Sequence, residues 1–371
     1  WVHQLNLAML EKGVSLCRRK PFDLIHAHDW LVAYPGRALK HIFHLPLFAS
    51  IHATEFGRNN GLHNDDQRYI GEVEWWLTYE AWKVICNSRY MREEVKTVFN
   101  LPADKIEIIP NGIRPAAFQA EKIDPAVRQR FAAPGEKLIF FIGRLVREKG
   151  VQLLLEALPM IRDSFPGTRL VVAGSGPFEE ELRRTALHLG VDRFVTFAGY
   201  IDEPLRNQLY AQADVAAFPS LYEPFGLVAL EAMATGTPVA VSDTGGFAET
   251  VEHEVNGLRA AAGNAGDLAW QITRLLAEPE LAQRLARRGL LDVEEKYSWP
   301  SIARQYEALY QKVVFSETAR RWRREGEELA RHPAPQPGQQ PARQPAHELN
   351  RHPDRQFASA DRIPALNRSR S

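Results

Sequence analysis

The sequence predicts an α/β protein made of two successive parallel-sheet units, and three observations predict it. Short aliphatic runs that read as strands alternate with longer helix-like stretches, a pattern that gives parallel sheets with crossover helices. The alternation is interrupted once, over residues 115–136, where Pro115, Pro125, Pro134 and Gly135 fall in a stretch without a strong apolar period. The length of 371 residues accommodates two cores at roughly 100–200 residues per domain.

In chain order, Leu5, Leu7, Ala8, Leu10 and Leu16 give residues 4–18 a helical pattern that Pro21 ends. Strands are expected at 22–27, 46–51, 83–86 and 105–109, with a long helix at 72–82, and Pro110-Asn111-Gly112 stops the last strand with a strong turn signal. Residues 116–136 read as a linker with one short helix. The second unit has strands at 138–142, 169–173, 195–197, 215–219 and 238–241. Helices are expected at 150–164, 178–189, 203–212, 226–235, 246–251 and 266–288. Ile302, Tyr306, Leu309, Tyr310 and Val313 mark an amphipathic helix over 300–314. Residues 331–371 hold seven Arg, three acidic residues and prolines at 333, 335, 337, 341 and 345. Such a composition cannot bury enough apolar surface to offset its ordering entropy, so this tail is expected to be disordered and passive.

Charge and composition exclude several classes. Lys+Arg and Asp+Glu are both 46, so the net charge is zero, which argues against a globally basic nucleic-acid binder. No apolar run approaches the ~18 residues of a membrane span. Cys17 and Cys86 are the two cysteines. They make neither a disulfide framework nor a zinc cluster, and two free thiols suit a reducing, cytoplasmic compartment.

Six segments at expected strand ends carry the candidate chemistry, because ligands of open α/β sheets sit at the carboxyl ends of strands. In Gly143-Arg144-Leu145-Val146-Arg147-Glu148-Lys149-Gly150, Gly143 allows close backbone approach, Arg144 offers a planar fork and Lys149 a point charge, a set suited to a diphosphate. Surface salt bridges are the other reading. In Glu223-Pro224-Phe225-Gly226-Leu227-Val228-Ala229-Leu230-Glu231, Glu223 sits on a loop and the amides at Gly226 and Leu227 open a helix, a natural phosphate site. Glu231 lies two turns in, where it could accept from a diol such as a ribose. A helix cap and a solvated carboxylate are the alternatives. Thr244, Gly245 and Gly246 can wrap an anion through backbone N–H groups or simply turn the chain. Gly174 lies in Ala173-Gly174-Ser175-Gly176, which lacks the full GxGxxG spacing. On the N-terminal side His26-Ala27-His28-Asp29-Trp30 and His52-Ala53-Thr54-Glu55-Phe56-Gly57-Arg58 also follow strands. A metal set of His26, His28 and Asp29 is disfavoured, since alternate residues of one strand end rarely chelate one ion. Polar sugar-binding residues are the expectation. No Asp-x-Asp pair occurs, so a metal-bridged diphosphate is not indicated, and no metal or other cofactor is expected.

Gly143–Gly150, Glu223–Glu231 and Asp243–Gly246, in this order and spacing, resemble the donor half of the retaining glycosyltransferases of family 4, most densely over residues 136–260. His28-Asp29-Trp30 resembles the glycogen and starch synthases, and His52 with Gly57-Arg58 the sucrose and sucrose-phosphate synthases. The resemblance implies the GT-B fold, two facing Rossmann-like domains with a cleft between them. It implies an acceptor-side domain over 1–115, a nucleotide-sugar donor domain over 137–296 and a helix over 297–315 crossing back. It further implies that Arg144 and Lys149 neutralise the diphosphate of a donor such as UDP-glucose or ADP-glucose, and that Glu231 holds the ribose. Glu223, with the amides of Phe225, Gly226 and Leu227, would hold the donor sugar and distal phosphate, with Gly143, Gly174, Thr244, Gly245 and Gly246 lining the donor side. His52 would stand beside the donor sugar, with His28, Asp29, Glu55 and Arg58 toward the acceptor. Arg144, Lys149, Glu223 and His52 are thus the catalytic candidates.

The implied reaction is retaining transfer of a hexose, glucose before others, to a saccharide such as an α-glucan. The alternatives are a mannosyl- or other hexosyltransferase on a lipid-linked or cell-surface glycan, a UDP-sugar 2-epimerase of the same fold, and a binding fragment without turnover. Peripheral membrane contact and oligomeric state stay open. Family members begin with a strand and a glycine-rich loop, whereas this chain opens in a helix at Trp1. The first strands of the N-terminal sheet are therefore expected to be missing.

Overall fold

A computed structural model describes residues 1–120 and 122–331. The expected disordered tail, 331–371, lies outside them apart from Arg331. The first half runs α1 (Val2–Arg19), β1 (Ile25–His28), α2 (Ala33–Phe43), β2 (Leu47–Ile51), α3 (Glu55–Asn59), α4 (Asp65–Glu80), β3 (Lys83–Cys86), α5 (Arg89–Phe99) and β4 (Ile106–Ile108). Its four strands form a parallel sheet in the order β1-β2-β3-β4. All five residues of β2 are buried, as expected of a strand covered on both faces. Helix α5 has a clear local cause. Ser88 caps it by accepting from the Met91 amide at 3.1 Å, and Met91, Val95 and Phe99 put one apolar stripe into the core.

After a 3₁₀ turn at Pro115–Ala117 and the short α6 (Pro125–Gln129), the second half comprises β5 (Lys137–Ile142), α7 (Val151–Ser164), β6 (Thr168–Ala173), α8 (Glu179–His188), β7 (Val195–Gly199), α9 (Glu203–Gln212), β8 (Val215–Phe218), α10 (Leu227–Ala234), β9 (Val239–Ser242), α11 (Phe247–Thr250), β10 (Leu258–Ala260), α12 (Ala265–Ala277), α13 (Pro279–Lys296), α14 (Trp299–Val314) and α15 (Glu317–Arg331). Its six parallel strands lie in the order β10-β9-β8-β5-β6-β7. The order therefore reverses between β5 and β8. That switch point opens a crevice at the strands' carboxyl ends, where open α/β sheets hold ligands.

The helix expected at 266–288 is two helices. Pro279 has no N–H and disfavours helical backbone at Glu278, so α12 ends and α13 starts there. Strand β10 went unanticipated, being three residues long with Arg259 in the middle. The first strand runs over Ile25–His28 rather than 22–27.

Helix α14 returns to the first sheet. Ile302, Leu309 and Val313 are buried against Phe48, Ile85 and Ile109, and the Tyr310 hydroxyl is 2.7 Å from His26 Nδ1. Residues 1–328 form one compact unit. Among the described residues no helix is long and apolar enough to cross a membrane.

Candidate functional site

The loops after β5 and β8 meet at the switch point. The amide of Leu221 donates to the Glu148 carbonyl at 2.7 Å. Gly150, at φ 73°, lies so close to Pro219 that a Cβ would overlap its carbonyl oxygen. This contact sets Lys149 beside Glu223. Lys149 Nζ donates to Glu223 Oε2 at 2.8 Å, and Ser220 Oγ donates to the same oxygen at 3.1 Å. Glu223 is only 7% exposed, so its charge needs both donors. Arg144 is exposed and lies 3.8 Å from Glu148, a loose ion pair that leaves its fork free to turn toward an anion.

The amides of Phe225, Gly226 and Leu227 donate to no protein acceptor among the described residues. They stand at the N-terminus of α10, where unpaired N–H groups and the helix dipole favour an anion. Gly226 adopts φ 97° to make this turn. Arg144, Lys149, Glu223, Phe225, Gly226 and Leu227 line one side of a cleft of about 320 Å³, with His52, Arg58, Asn87 and Asn111 opposite.

The histidine side is organised around His52. The His52 amide donates to Asp29 Oδ1 at 2.8 Å, and Asp29 holds φ 58° to reach it. His28 Nδ1 is 3.1 Å from His52 Nε2, with the two rings stacked. Burial, aided by the His52 charge, lowers the pKa of His28. His26, between Ser50 Oγ at 2.8 Å and Tyr310, is pushed down to about 3 by burial first and then by its histidine neighbours. His28 and Asp29 thus both hold His52 in place.

Other expected residues have structural partners of their own. Glu55 accepts from Asn59 Nδ2 at 2.9 Å and pairs with Arg58 at 3.7 Å. Its amide is held by Glu74 at 3.1 and 3.0 Å, a buried carboxyl whose pKa burial pushes up to about 8. Glu231 accepts from the Tyr210 hydroxyl at 3.1 Å, and burial raises its pKa. It lies four residues, about one turn, beyond the cleft residue Leu227 on α10. The anion wrap expected of Thr244, Gly245 and Gly246 takes a different form. The Gly246 amide donates to the Glu223 carbonyl at 2.7 Å, Thr244 Oγ1 reaches the Leu221 carbonyl at 3.4 Å, and Gly245 packs under Glu223. These residues brace the Glu223 loop. Gly143 and Gly174 likewise brace each other: their amides bond Ala173 and Gly199, and a Cβ on Gly174 would overlap the Gly143 carbonyl. Among the described residues no cluster of three His, Cys, Asp or Glu is arranged to hold a metal ion.

Sequence reasoning missed Asn87, Asn111 and Tyr222 as cleft residues. In the sequence Asn111 signals only a turn, and Asn87 and Tyr222 carry no local signal beyond adjacency to the cap Ser88 and to Glu223.

Comparison with known proteins matches both halves. Residues 2–117 match the model of Glycosyltransferase Family 4, and residues 123–291 that of Glycosyl transferases group 1. An uncharacterized glycosyltransferase of Methanocaldococcus jannaschii is 41% identical over 318 residues, covering 83% of this chain and 81% of that protein. A glycogen synthase of Mycobacterium tuberculosis is 36% identical over 310 residues, 82% of this chain and 73% of the relative. Among solved structures, a sucrose-phosphate synthase from Thermosynechococcus elongatus superposes with a TM-score of 0.72 at 29% identity, covering 84% of this chain and 78% of that one.

Proposed function

The chain belongs to glycosyltransferase family 4, a transferase of the GT-B fold, and from that premise we propose that it moves glucose from a nucleotide-diphosphate sugar to a saccharide acceptor with retention of configuration. The observation that carries the donor reading is the cleft wall itself. Three unpaired amides at the α10 N-terminus, Lys149 and Arg144 face one space, with His52 on the other side. Such a wall suits a diphosphate. Glucose and a glucan acceptor are supported by the likeness to a glycogen synthase and a sucrose-phosphate synthase.

In the proposed reaction the bond from the sugar's anomeric carbon to the diphosphate oxygen breaks. The bond to the acceptor oxygen forms on the same face, and the acceptor's proton passes to the leaving phosphate. No protein nucleophile and no metal takes part. Lys149, Arg144 and the α10 amides stabilise charge growing on the leaving group, the preorganised electrostatic role that dominates many active sites. Glu223 holds Lys149 in place and accepts from sugar hydroxyls, and His52 lies alongside the sugar.

The test is a screen of the purified chain with UDP-glucose, ADP-glucose, GDP-mannose and UDP-GlcNAc, against maltooligosaccharides and simple sugars. Thermal stabilisation and nucleotide release with a glucosyl donor, giving an α-linked product, are expected. Turnover of GDP-mannose alone would refute the sugar assignment. Stabilisation by a donor without release would make the chain a binding fragment, and a β-linked product would refute retention.

A further inference from the structure

Glu223 is flanked on both sides by ties to the other half of the molecule. On one side, the Tyr222 hydroxyl donates to Glu94 Oε1 at 3.0 Å. On the other, the Pro224 carbonyl accepts from Ser88 Oγ at 2.7 Å. Glu94 is the centre of the first tie. It lies on α5, and its Oε1 also accepts from Thr54 Oγ1 at 2.6 Å, while Tyr90 donates to the same carboxyl. Thr54 is two residues beyond His52, and Tyr222 is one residue before Glu223. One carboxylate therefore joins the loop that carries His52 to the loop that carries Glu223. Gly57 leaves room for this meeting, since a Cβ there would run into the Tyr222 hydroxyl and Glu94. A second carboxylate repeats the link nearby: Glu249, from the second half, accepts from the Arg89 and Tyr90 amides at 2.9 and 2.8 Å, at the N-terminus of α5.

A partly buried carboxylate with three hydroxyl donors is a costly way to fill space, because burial disfavours its charge and raises its pKa. Its geometry fits a fixed register between the two cleft walls. We propose that Glu94 is a positioning residue for transfer, acting through Tyr222 and Thr54 to hold Glu223 at a set distance from His52. This rests on the reading of Glu223 and His52 as donor-side groups.

Tyr222→Phe tests it, because the ring stays and only the hydroxyl is removed. With the donor that the wild type turns over, kcat is expected to fall about tenfold or more, the size of one hydrogen bond to a charged acceptor. Donor KM should stay within about twofold, the signature of an interaction that matters after binding. Glu94→Gln, which keeps an acceptor oxygen, should retain most of the turnover, and Glu94→Ala should not. The Tyr222→Phe/Glu94→Ala double variant should be no slower than Glu94→Ala alone. A merely structural role would lower the melting temperature and reduce kcat only with the folded fraction. Wild-type kcat in Tyr222→Phe, or a raised KM at unchanged kcat, would overturn the proposal. Amide hydrogen exchange reads the tie without turnover: faster exchange in both 50–58 and 222–230 of Tyr222→Phe supports it, and unchanged exchange overturns it. A wild-type chain that turns over no donor would count against the transferase reading, and the exchange result would still decide this one.

Discussion

Lys149 has three N–H donors, and Glu223 takes one of them at 2.8 Å. The other two are available to phosphate oxygens, so this one ammonium can hold the loop and stabilise a leaving group together. Lys149→Ala is expected to lower transfer by about 10²–10³ with the fold retained. Arg144→Ala should do the same with even less effect on stability, because an exposed pair at 3.8 Å contributes little. Circular dichroism and initial rates check both, and near-normal turnover in either variant would refute the charge-stabilising role. Glu74 offers a second residue-scale test. Its carboxyl, at 1% exposure, has its pKa pushed from the usual 4.5 to about 8 by burial. The folded state then holds a proton that the unfolded state has released between those values, so this group's contribution to stability falls as pH rises from 4.5 to 8. Glu74→Gln removes that slope while keeping an acceptor for the Glu55 amide. Melting curves should show the variant gaining on the wild type as pH rises across this window. A gap that is equal at both ends would contradict the burial account.

At the scale of elements, the Glu223 loop is shaped by its neighbour more than by its own sequence. Gly245, at φ 52°, lies against the Glu223 backbone. A side chain there meets two obstacles, left-handed backbone that costs roughly 1–2 kcal/mol for a residue with a Cβ and overlap with the Glu223 carbonyl. Gly245→Ala should therefore displace Glu223 and Lys149 and lower transfer by much more than it lowers stability. Gly266→Ala is the control. Its nearest neighbour, Asn264 Oδ1, is 3.4 Å from the added carbon, so activity should be unchanged. Equal activities in the two variants would show that the loop tolerates the shift. Helix α5 has the same character. Ser88 both caps it and holds Pro224, so one hydroxyl serves a helix end and a cleft wall.

At the scale of the whole molecule, α14 carries the end of the second half onto the first sheet. Ile302 is fully buried there, packed among Phe48, Ile85 and Ile109. Ile302→Ala should cost about 2–5 kcal/mol in chemical denaturation, although the residue is far along the chain from all three of these partners. A loss under about 1 kcal/mol would mean that α14 is not part of the cooperative unit. The same helix brings Tyr310 to His26, so the packing that joins the halves also fixes the ring at the base of the histidine set.

Strand and helix alternation, the Pro279 break aside, was legible because parallel strands buried on both faces are written as continuous aliphatic runs. Lys137–Ile142 and Val239–Ser242 are of this kind. The residues around the donor cleft were legible because each follows a strand and carries a charge or a glycine that a solvated loop does not require. Pairing was not legible. Lys149 and Glu223 are 74 positions apart, and nothing local states that they touch. The use of the Gly246 amide is hidden for the same reason: a free N–H in a turn points to an anion until the fold supplies a closer acceptor, the Glu223 carbonyl. Glu94 carries no signal, since a carboxylate on an amphipathic helix reads as solvated, and Tyr222 carries none beyond its place next to Glu223. The sequence alone determined the two sheets, the strand ends whose loops line the cleft and the family. Only the tertiary structure decided which groups meet across the cleft, because those contacts depend on how two sheets and a returning helix pack, and packing distances are not encoded in spacing along the chain.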